Sequence, residues 1–310
     1  MDRASPLVTI IVPSFNQGRF LRETIASCLA QDYRPLEVLV LDGGSKDETV
    51  DVLRGFNAPE LQWWSKPDGG VVDAVNQGLA KARGDIITIQ SSDDVFLPGA
   101  VSAAVHALQA SPPPGLVYGD VELIDAQSRL TGVDEQGPFD FADYLGRLQY
   151  IPQPGAFFTR EAMQATGPWR QEVSYAADAD YWLRIALHFP VAKIDRRLAR
   201  YRYHEEQRDT QRERIARDWR RAAQDLLDTS ELDARQRRYA RMGMHLARHR
   251  YAAPEAWRER TKALYAALLA NPAAVWDRRF PKRELFPGRD PIWALLSRVK
   301  RRLGFKPRTM

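Results

Sequence analysis

Four short apolar runs, separated by segments of helical period, constrain this chain more than any other feature. They are VTIIV at 8–12, EVLVL at 37–41, the short and weaker LQWW at 61–64 and DIITIQ at 85–90. Runs of this length, rich in β-branched residues and bounded by Gly, Pro and Asp, fit strands covered on both faces. Between the first two, Phe20, Leu21, Ile25, Cys28 and Leu29 share one stripe over 17–31, while Arg19, Arg22 and Glu23 face away. Further helices are expected over DETVDVLRGF, where Ser45 and Glu48 fit a capping box, over 71–83 and over about 98–110. The βαβαβαβα order predicts an α/β fold, a Rossmann-like doubly wound and mainly parallel sheet with its C-terminal strand ends along one edge.

Beyond residue 114 the pattern loosens. GLVYGDVELID (115–125) reads as a fifth strand, 127–137 as a polar turn region, and GAFFT (155–159) as another strand. A helix follows with Asp178 near its start and Trp182, Ile185, Ala186 and Phe189 on its apolar face. After VAKI and LARYRYH, residues 205–271 are Arg-rich and mostly helical, with breaks near Ser230 and Pro254. The expected organisation is a catalytic-type α/β domain over 1–204 and a helical, basic C-terminal extension over 205–310.

Charge separates the two regions. Residues 1–195 hold 15 Lys and Arg against 26 Asp and Glu, and residues 196–310 hold 30 against 14, so −11 faces +16 within a chain of net +5. Different partners are implied for the two. A nucleic-acid binder is the reading the basic region alone would suggest, but the acids of the first region would repel phosphate and no recognition motif is present. The one cysteine, Cys28, sits among apolar neighbours, which excludes disulfide bracing and suits a reducing compartment. MDRASP lacks the apolar stretch of a secretory signal, so a cytoplasmic location is expected. The charge-free stretch 95–114 has membrane length, yet Pro98, Gly99, His106 and a closing PPP argue against a span.

The stretch KPDGGVVDAVNQGLAKARGDIITIQSSDD (66–94) gathers most of the chemistry. Gly69 and Gly70 let backbone approach a ligand, Asp73 and Asn76 share a helix face, and Asp93 and Asp94 stand at the end of a strand. No G-x-G-x-x-G follows the first strand, no G-x-x-x-x-G-K-[ST] occurs, and C-x-x-C and H-E-x-x-H are absent, which disfavours dinucleotide, P-loop and zinc sites. The carboxylates Asp42, Asp68, Asp73, Asp93 and Asp94 suit a hard ion, Mg2+ or Mn2+, held together with phosphate. Each also has a plainer reading: Asp42 and Asp68 as turn residues, Asp73 and Asn76 as solvated helix surface, Asp178 as an acid at a helix start.

Taken together, VPSFNQGRFLRETIASCLAQ, LDGGSKDET and DGGVVDAVNQGLAKARGDIITIQSSDD with Pro98 following resemble the inverting GT-A glycosyltransferases of family 2, over about Pro6 to His204. The resemblance implies contacts to a nucleotide diphosphate-sugar from Pro13, Ser14, Asn16, Asp42, Asp68, Asp73, Asn76, Ser92 and Asp93. It implies metal ligation by Asp93, and His204 is similar to a histidine the family often has near the donor phosphates. Ser91 stands where the family's first Asp of Asp-x-Asp would be, and Ala177 where the Glu of its Glu-Asp pair would be. The base role therefore falls to Asp178, with Asp180 competing. Two residues apart, the two project about 200° from each other around a helix and do not both face the donor.

The acceptor, a glycan or lipid-linked glycan, is expected over 150–182, with Gln153, Tyr181 and Trp182 offering hydrogen bonds and a stacking face. The departures at Ser91 and Ala177 keep an inactive scaffold of this fold as an alternative. In the last 20 residues, Ile292, Leu295, Leu296, Val299 and Leu303 form a stripe beside six cations and no acid. Such a basic amphipathic segment fits either peripheral membrane contact, at the inner face of the cell membrane, or packing on the domain.

Overall fold

The computed structural model describes residues 5–207, 210–229, 231–253 and 255–285. The expected tail segment 291–310 lies outside the described residues.

The chain begins with β1 (Val8–Ser14), α1 (Gly18–Leu29), β2 (Leu36–Asp42), α2 (Thr49–Arg54), β3 (Leu61–Ser65), α3 (Val71–Lys81) and β4 (Ile86–Ile89). These give the four expected strands, in spatial order β3-β2-β1-β4 and all parallel. Every residue of β1 and β2 is buried, as continuous apolar runs demand, whereas β3 is the half-exposed edge. One charged residue enters this core: Glu37 on β2 accepts from Thr9 Oγ1 at 2.6 Å and from the Arg83 backbone N–H at 2.7 Å. Burial works to raise its pKa, and these bonds together with the Arg83 guanidinium outweigh it and hold the carboxyl below the usual range.

Next come β5 (Val95–Phe96), α4 (Ala100–Leu108), β6 (Leu116–Ile124), β7 (Leu130–Asp134), α5 (Phe141–Leu145), β8 (Ala156–Thr159), α6 (Arg160–Thr166), α7 (Ala177–His188) and β9 (Val191–Arg202). Here β8 pairs antiparallel with both β4 and β6, while β6 and β9 form a long parallel ladder. The sheet is mainly parallel and curls through this junction. Two expectations change. Residues 127–137 contain β7, an exposed strand hung on the rim of β6, and VAKI and LARYRYH are one continuous strand rather than two.

One core cluster joins α1 and α4 to the sheet, and the other joins α3 and α7 to the sheet and then continues into the helical region. That region consists of α8 (Arg212–Asp228), α9 (Ala234–Tyr251) and α10 (Trp257–Ala270). Trp219 and Leu226 of α8 and Ala240 and Ala247 of α9 belong to the same cluster as Tyr181 and Trp182 of α7. Residue 204 is therefore not a gap in packing. Cys28 is fully buried and burial pushes its thiol up to about 12, so it is a core residue.

Among the described residues, no helix is long and apolar enough to cross a membrane.

Candidate active site

The C-terminal ends of β1, β2 and β4 open onto a cavity of about 630 Å3 that also reaches 150–154, 169–178 and 201–215. That volume is ample for a nucleotide-sized ligand. Of the residues expected at the site, Pro13, Ser14, Asp68, Ser92, Asp93, Gln153 and Asp178 line it, and Ser91 does too.

The first wall is built from loops that hold one another. Gly70 takes φ +95°, a left-handed value that turns the chain into α3, and its N–H donates to Asp68 Oδ1 at 2.8 Å. Asp73 accepts from the Gly69 N–H at 2.9 Å and from Gln77 Nε2 at 3.1 Å. Asn16, itself at φ 52°, accepts from the Lys46 N–H at 2.9 Å, and its own N–H donates to Ser45 Oγ at 2.7 Å. Asp42 is 2% exposed, and its carboxylate accepts from the Gly44 and Ser45 N–H groups and the Ser45 and Ser65 hydroxyls. A carboxylate has about four lone-pair directions, so little of Asp42 is left for a ligand.

Asp42, Asp73 and Asn16 thus shape the wall and do not line the cavity. Asn76 is likewise structural, since its amide exchanges two hydrogen bonds with the Trp169 backbone, at 2.8 and 3.0 Å, and ties the 169 loop onto α3. The expected capping box fails for the same reason: Ser45 is spent on Asp42, and Asp47 instead receives the Gly18 and Thr49 N–H groups. Burial opposes ionisation of Asp47, but those donors and the Thr49 hydroxyl hold its carboxyl below the usual range.

The acidic loop after β4 is anchored from beneath. Thr24 Oγ1 on α1 donates to the Ser92 and Asp94 carbonyls at 2.9 and 2.8 Å. Arg202, which is fully buried, donates from Nε to the Asp93 carbonyl at 2.7 Å, and its backbone N–H reaches Asp94 Oδ1 at 2.8 Å. The other end of its guanidinium binds Glu23 at 2.7 Å. Asp94 also borders the cavity but is 1% exposed and tied to Arg202, so Asp93 is the more open carboxylate of the pair. His204 Nε2 lies 2.9 Å from Asp93 Oδ2, and His204 Nδ1 lies 3.2 Å from Arg19. A guanidinium only donates, so the Nδ1 lone pair faces Arg19 and Nε2–H donates to Asp93. Arg202 is a residue that sequence reasoning missed: in LARYRYH it is one of several alternating polar positions, with nothing to mark it as the inward one.

The opposite wall is the N-terminal end of α7. Asp178 lies in its first turn and lines the cavity, while Asp180 is 1% exposed and is gripped by Arg170 and by Arg184 at 2.9 Å. Packing leaves Asp178 at the cavity and draws Asp180 into the core. Tyr144 is buried nearby, and burial, with the Asp178 charge adding to it, pushes its phenol well above the usual range. The turn leading into α7 is braced by α8: the Tyr175 N–H donates to buried Asp218 at 2.9 Å, and Arg170 binds Asp225 at 2.8 Å.

Tyr181 and Trp182 require correction. Both are fully buried, packed with Phe158 and each other at ring distances of 5.5 to 5.8 Å. With Asp178 on the cavity side, helical geometry carries these two rings into the core, so neither offers a face to sugar. The aromatic surface comes instead from Phe15, Tyr150, Trp169, Tyr175 and Tyr201, residues of loops and a strand end that no periodicity singles out. Gln153 does reach the cavity, with Nε2 3.2 Å from Ser91 Oγ.

This architecture defines a class, the GT-A-type transferases with a ligand cavity at the strand ends, and known proteins agree with it. Residues 9–162 match the family described as Glycosyl transferase family 2. An uncharacterized glycosyltransferase of Mycobacterium tuberculosis, Rv1514c, is 36% identical over 189 residues, covering 59% of this chain and 70% of that protein. Two solved structures share the fold: Staphylococcus aureus TarS 1–349 in complex with UDP-GlcNAc (TM-score 0.65, 16% identity, 90% of this chain and 82% of that one); and the Pyrobaculum calidifontis mannosyltransferase PcManGT in complex with GDP-Man and Mn2+ (TM-score 0.63, 22% identity, 98% and 82%). The chain belongs to glycosyltransferase family 2 and is a nucleotide-sugar-dependent glycosyltransferase.

Proposed function

We propose that this enzyme transfers a sugar, with inversion and with help from a divalent ion, from a nucleotide diphosphate-sugar to a hydroxyl of a glycan or lipid-linked glycan. The carrying observation is that Asp93 and Asp178 line one cavity from opposite walls, one at a strand end and one at a helix start. Pro13, Ser14, Asp68 and Ser92 are proposed to contact the nucleotide, with Asp42, Asp73, Asn76 and Asn16 holding the loops that present them.

For the ion, the donor set is compatible though sparse. Asp93 would ligate the ion through its carboxylate, and His204, whose Nε2–H donates to Asp93 Oδ2 at 2.9 Å while Nδ1 faces Arg19, would hold that carboxylate in place. Among the described residues no group of three His, Cys, Asp or Glu gathers, so oxygens of the donor diphosphate would complete the shell. Bound there, Mn2+ or Mg2+ would offset the charge of the departing diphosphate. The Mn2+ complex of PcManGT supports this reading.

Asp178 is assigned as the general base. It takes the proton of the acceptor hydroxyl as that oxygen attacks the anomeric carbon from the face opposite the diphosphate. It stands in the first turn of α7, and the Asp218 and Asp225 contacts from α8 fix the turn that aims it. Tyr150 and Tyr175 supply apolar faces for sugar rings, and Gln153 a polar contact. The proposed location is cytoplasmic, peripheral on the inner face of the membrane through residues 291–310.

A panel of nucleotide sugars with an acceptor mixture and Mn2+ tests the reading, with product configuration read by proton NMR. Transfer with an inverted anomeric signal is expected. Retention of configuration would remove Asp178 from the base role, and failure to bind or hydrolyse any donor would leave the scaffold alternative standing.

A further inference from the structure

The three helices after the sheet enclose a second cavity, of about 520 Å3, whose wall is dominated by cations. Helical spacing brings them together: Arg217 and Arg220 are three apart on α8, His245 and Arg248 three apart on α9, and Lys262 faces them from α10. Lys262 is paired with Glu259 at 3.0 Å, and Arg217 with Asp218 at 2.8 Å. Among the described residues, neither the Arg220 nor the Arg248 side chain has a hydrogen bond or ion pair.

Their charges bear on each other instead. Burial, and then Arg248, makes protonation of the half-buried Arg220 less favourable, and His245 is held below its ordinary range by burial, then by Arg248 and Arg220. Several shielded guanidinium groups elsewhere have a carboxylate partner, Arg170 and Arg184 with Asp180 and Arg202 with Glu23, whereas buried Arg147 rests on the Trp219 and Tyr251 rings. Arg220, partly buried, and Arg248, exposed at the rim, are not paired with the wall acids Glu213 and Glu259, and two unpaired guanidinium groups at one pocket suit the fork geometry that binds phosphate oxygens. Residues 286–310 are poorly suited to supply the missing charge, since they contain seven cations and one acid, Asp290.

We propose that this pocket binds a phosphate-type anion, a phosphomonoester or diphosphate, between Arg220 and Arg248, with Lys262 and His245 at its margin. The site is separate from the strand-end cavity and does not depend on the donor chemistry assigned there.

Calorimetric titration of the full chain with inorganic pyrophosphate, in chelator to suppress metal-assisted binding at Asp93, tests it. Saturable binding is expected, weakened at least ~10-fold by Arg220→Gln with Arg248→Gln, strengthened by removing a wall acid with Glu213→Gln, and unchanged by Asp93→Ala. The gain with Glu213→Gln is a readout that misfolding of the double variant cannot imitate. Sedimentation with phosphatidylglycerol against phosphatidylcholine vesicles separates the sources: loss of phosphatidylglycerol binding in the double variant names a lipid headgroup. Unchanged sedimentation beside lost pyrophosphate binding names a soluble phosphate compound, and either supports the site. Absence of wild-type binding, or equal affinity in wild type and double variant, overturns it.

Discussion

The two walls of the strand-end cavity are made in different ways. The strand-end wall comes from four loops, each directly following one of the strands β1 to β4, within the first 94 residues. The helix wall is collected from 150–154, 169–178 and 201–215, and its alignment depends on α8, whose Asp218 and Asp225 hold the turn before Asp178. A wall of the first kind is carried by local chain geometry. One of the second kind is held by contacts from the helical region, Asp218 and Asp225 of α8 among them.

The contrast is sharpest at Asp178 and Asp180. Asp178→Asn should reduce transfer ~100- to 10,000-fold with nucleotide affinity nearly unchanged, as read by initial rates and donor titration. Asp180→Asn should act on stability instead. Leaving Arg170 and Arg184 without their shared carboxylate costs about 3 kcal/mol, visible as a lower denaturation midpoint, with the residual folded enzyme still turning over. If Asp180→Asn is the dead variant at full stability, the assignment of the helix wall is wrong.

A smaller effect separates cavity aromatics from core aromatics. Tyr175→Ala should raise the acceptor KM several-fold at little cost in stability. Trp182→Phe should leave KM alone and lower stability by about 1–2 kcal/mol. The reverse pattern would return Trp182 to the acceptor site and break the distinction between the walls.

Much of the first wall was legible because strands buried on both faces and amphipathic helices announce themselves by period. β1, β2, β3, β4, α1 and α3 stand where VTIIV, EVLVL, LQWW, DIITIQ and their intervening stripes place them. Side-chain direction in the loops was not legible. Asp42, Asp73, Asn16 and Asn76 are polar residues at the right stations, yet each closes hydrogen bonds within or between loops, because buried N–H groups there need acceptors. The second wall was less legible still, since the rotation of α7 that buries Tyr181 and Trp182 is set by Phe158, Trp169 and the Arg170–Asp180 grip, contacts distant in sequence or invisible to a period. Arg202 and the α8 braces belong to the same class.

The most direct test of the central claim is calorimetric titration of nucleotide diphosphate-sugars into wild type and Asp93→Ala, each with and without Mn2+. The account predicts at least one donor that binds wild type more tightly with Mn2+, and an Asp93→Ala enzyme in which the ion no longer helps. Donor binding indifferent to both the ion and the substitution would contradict it.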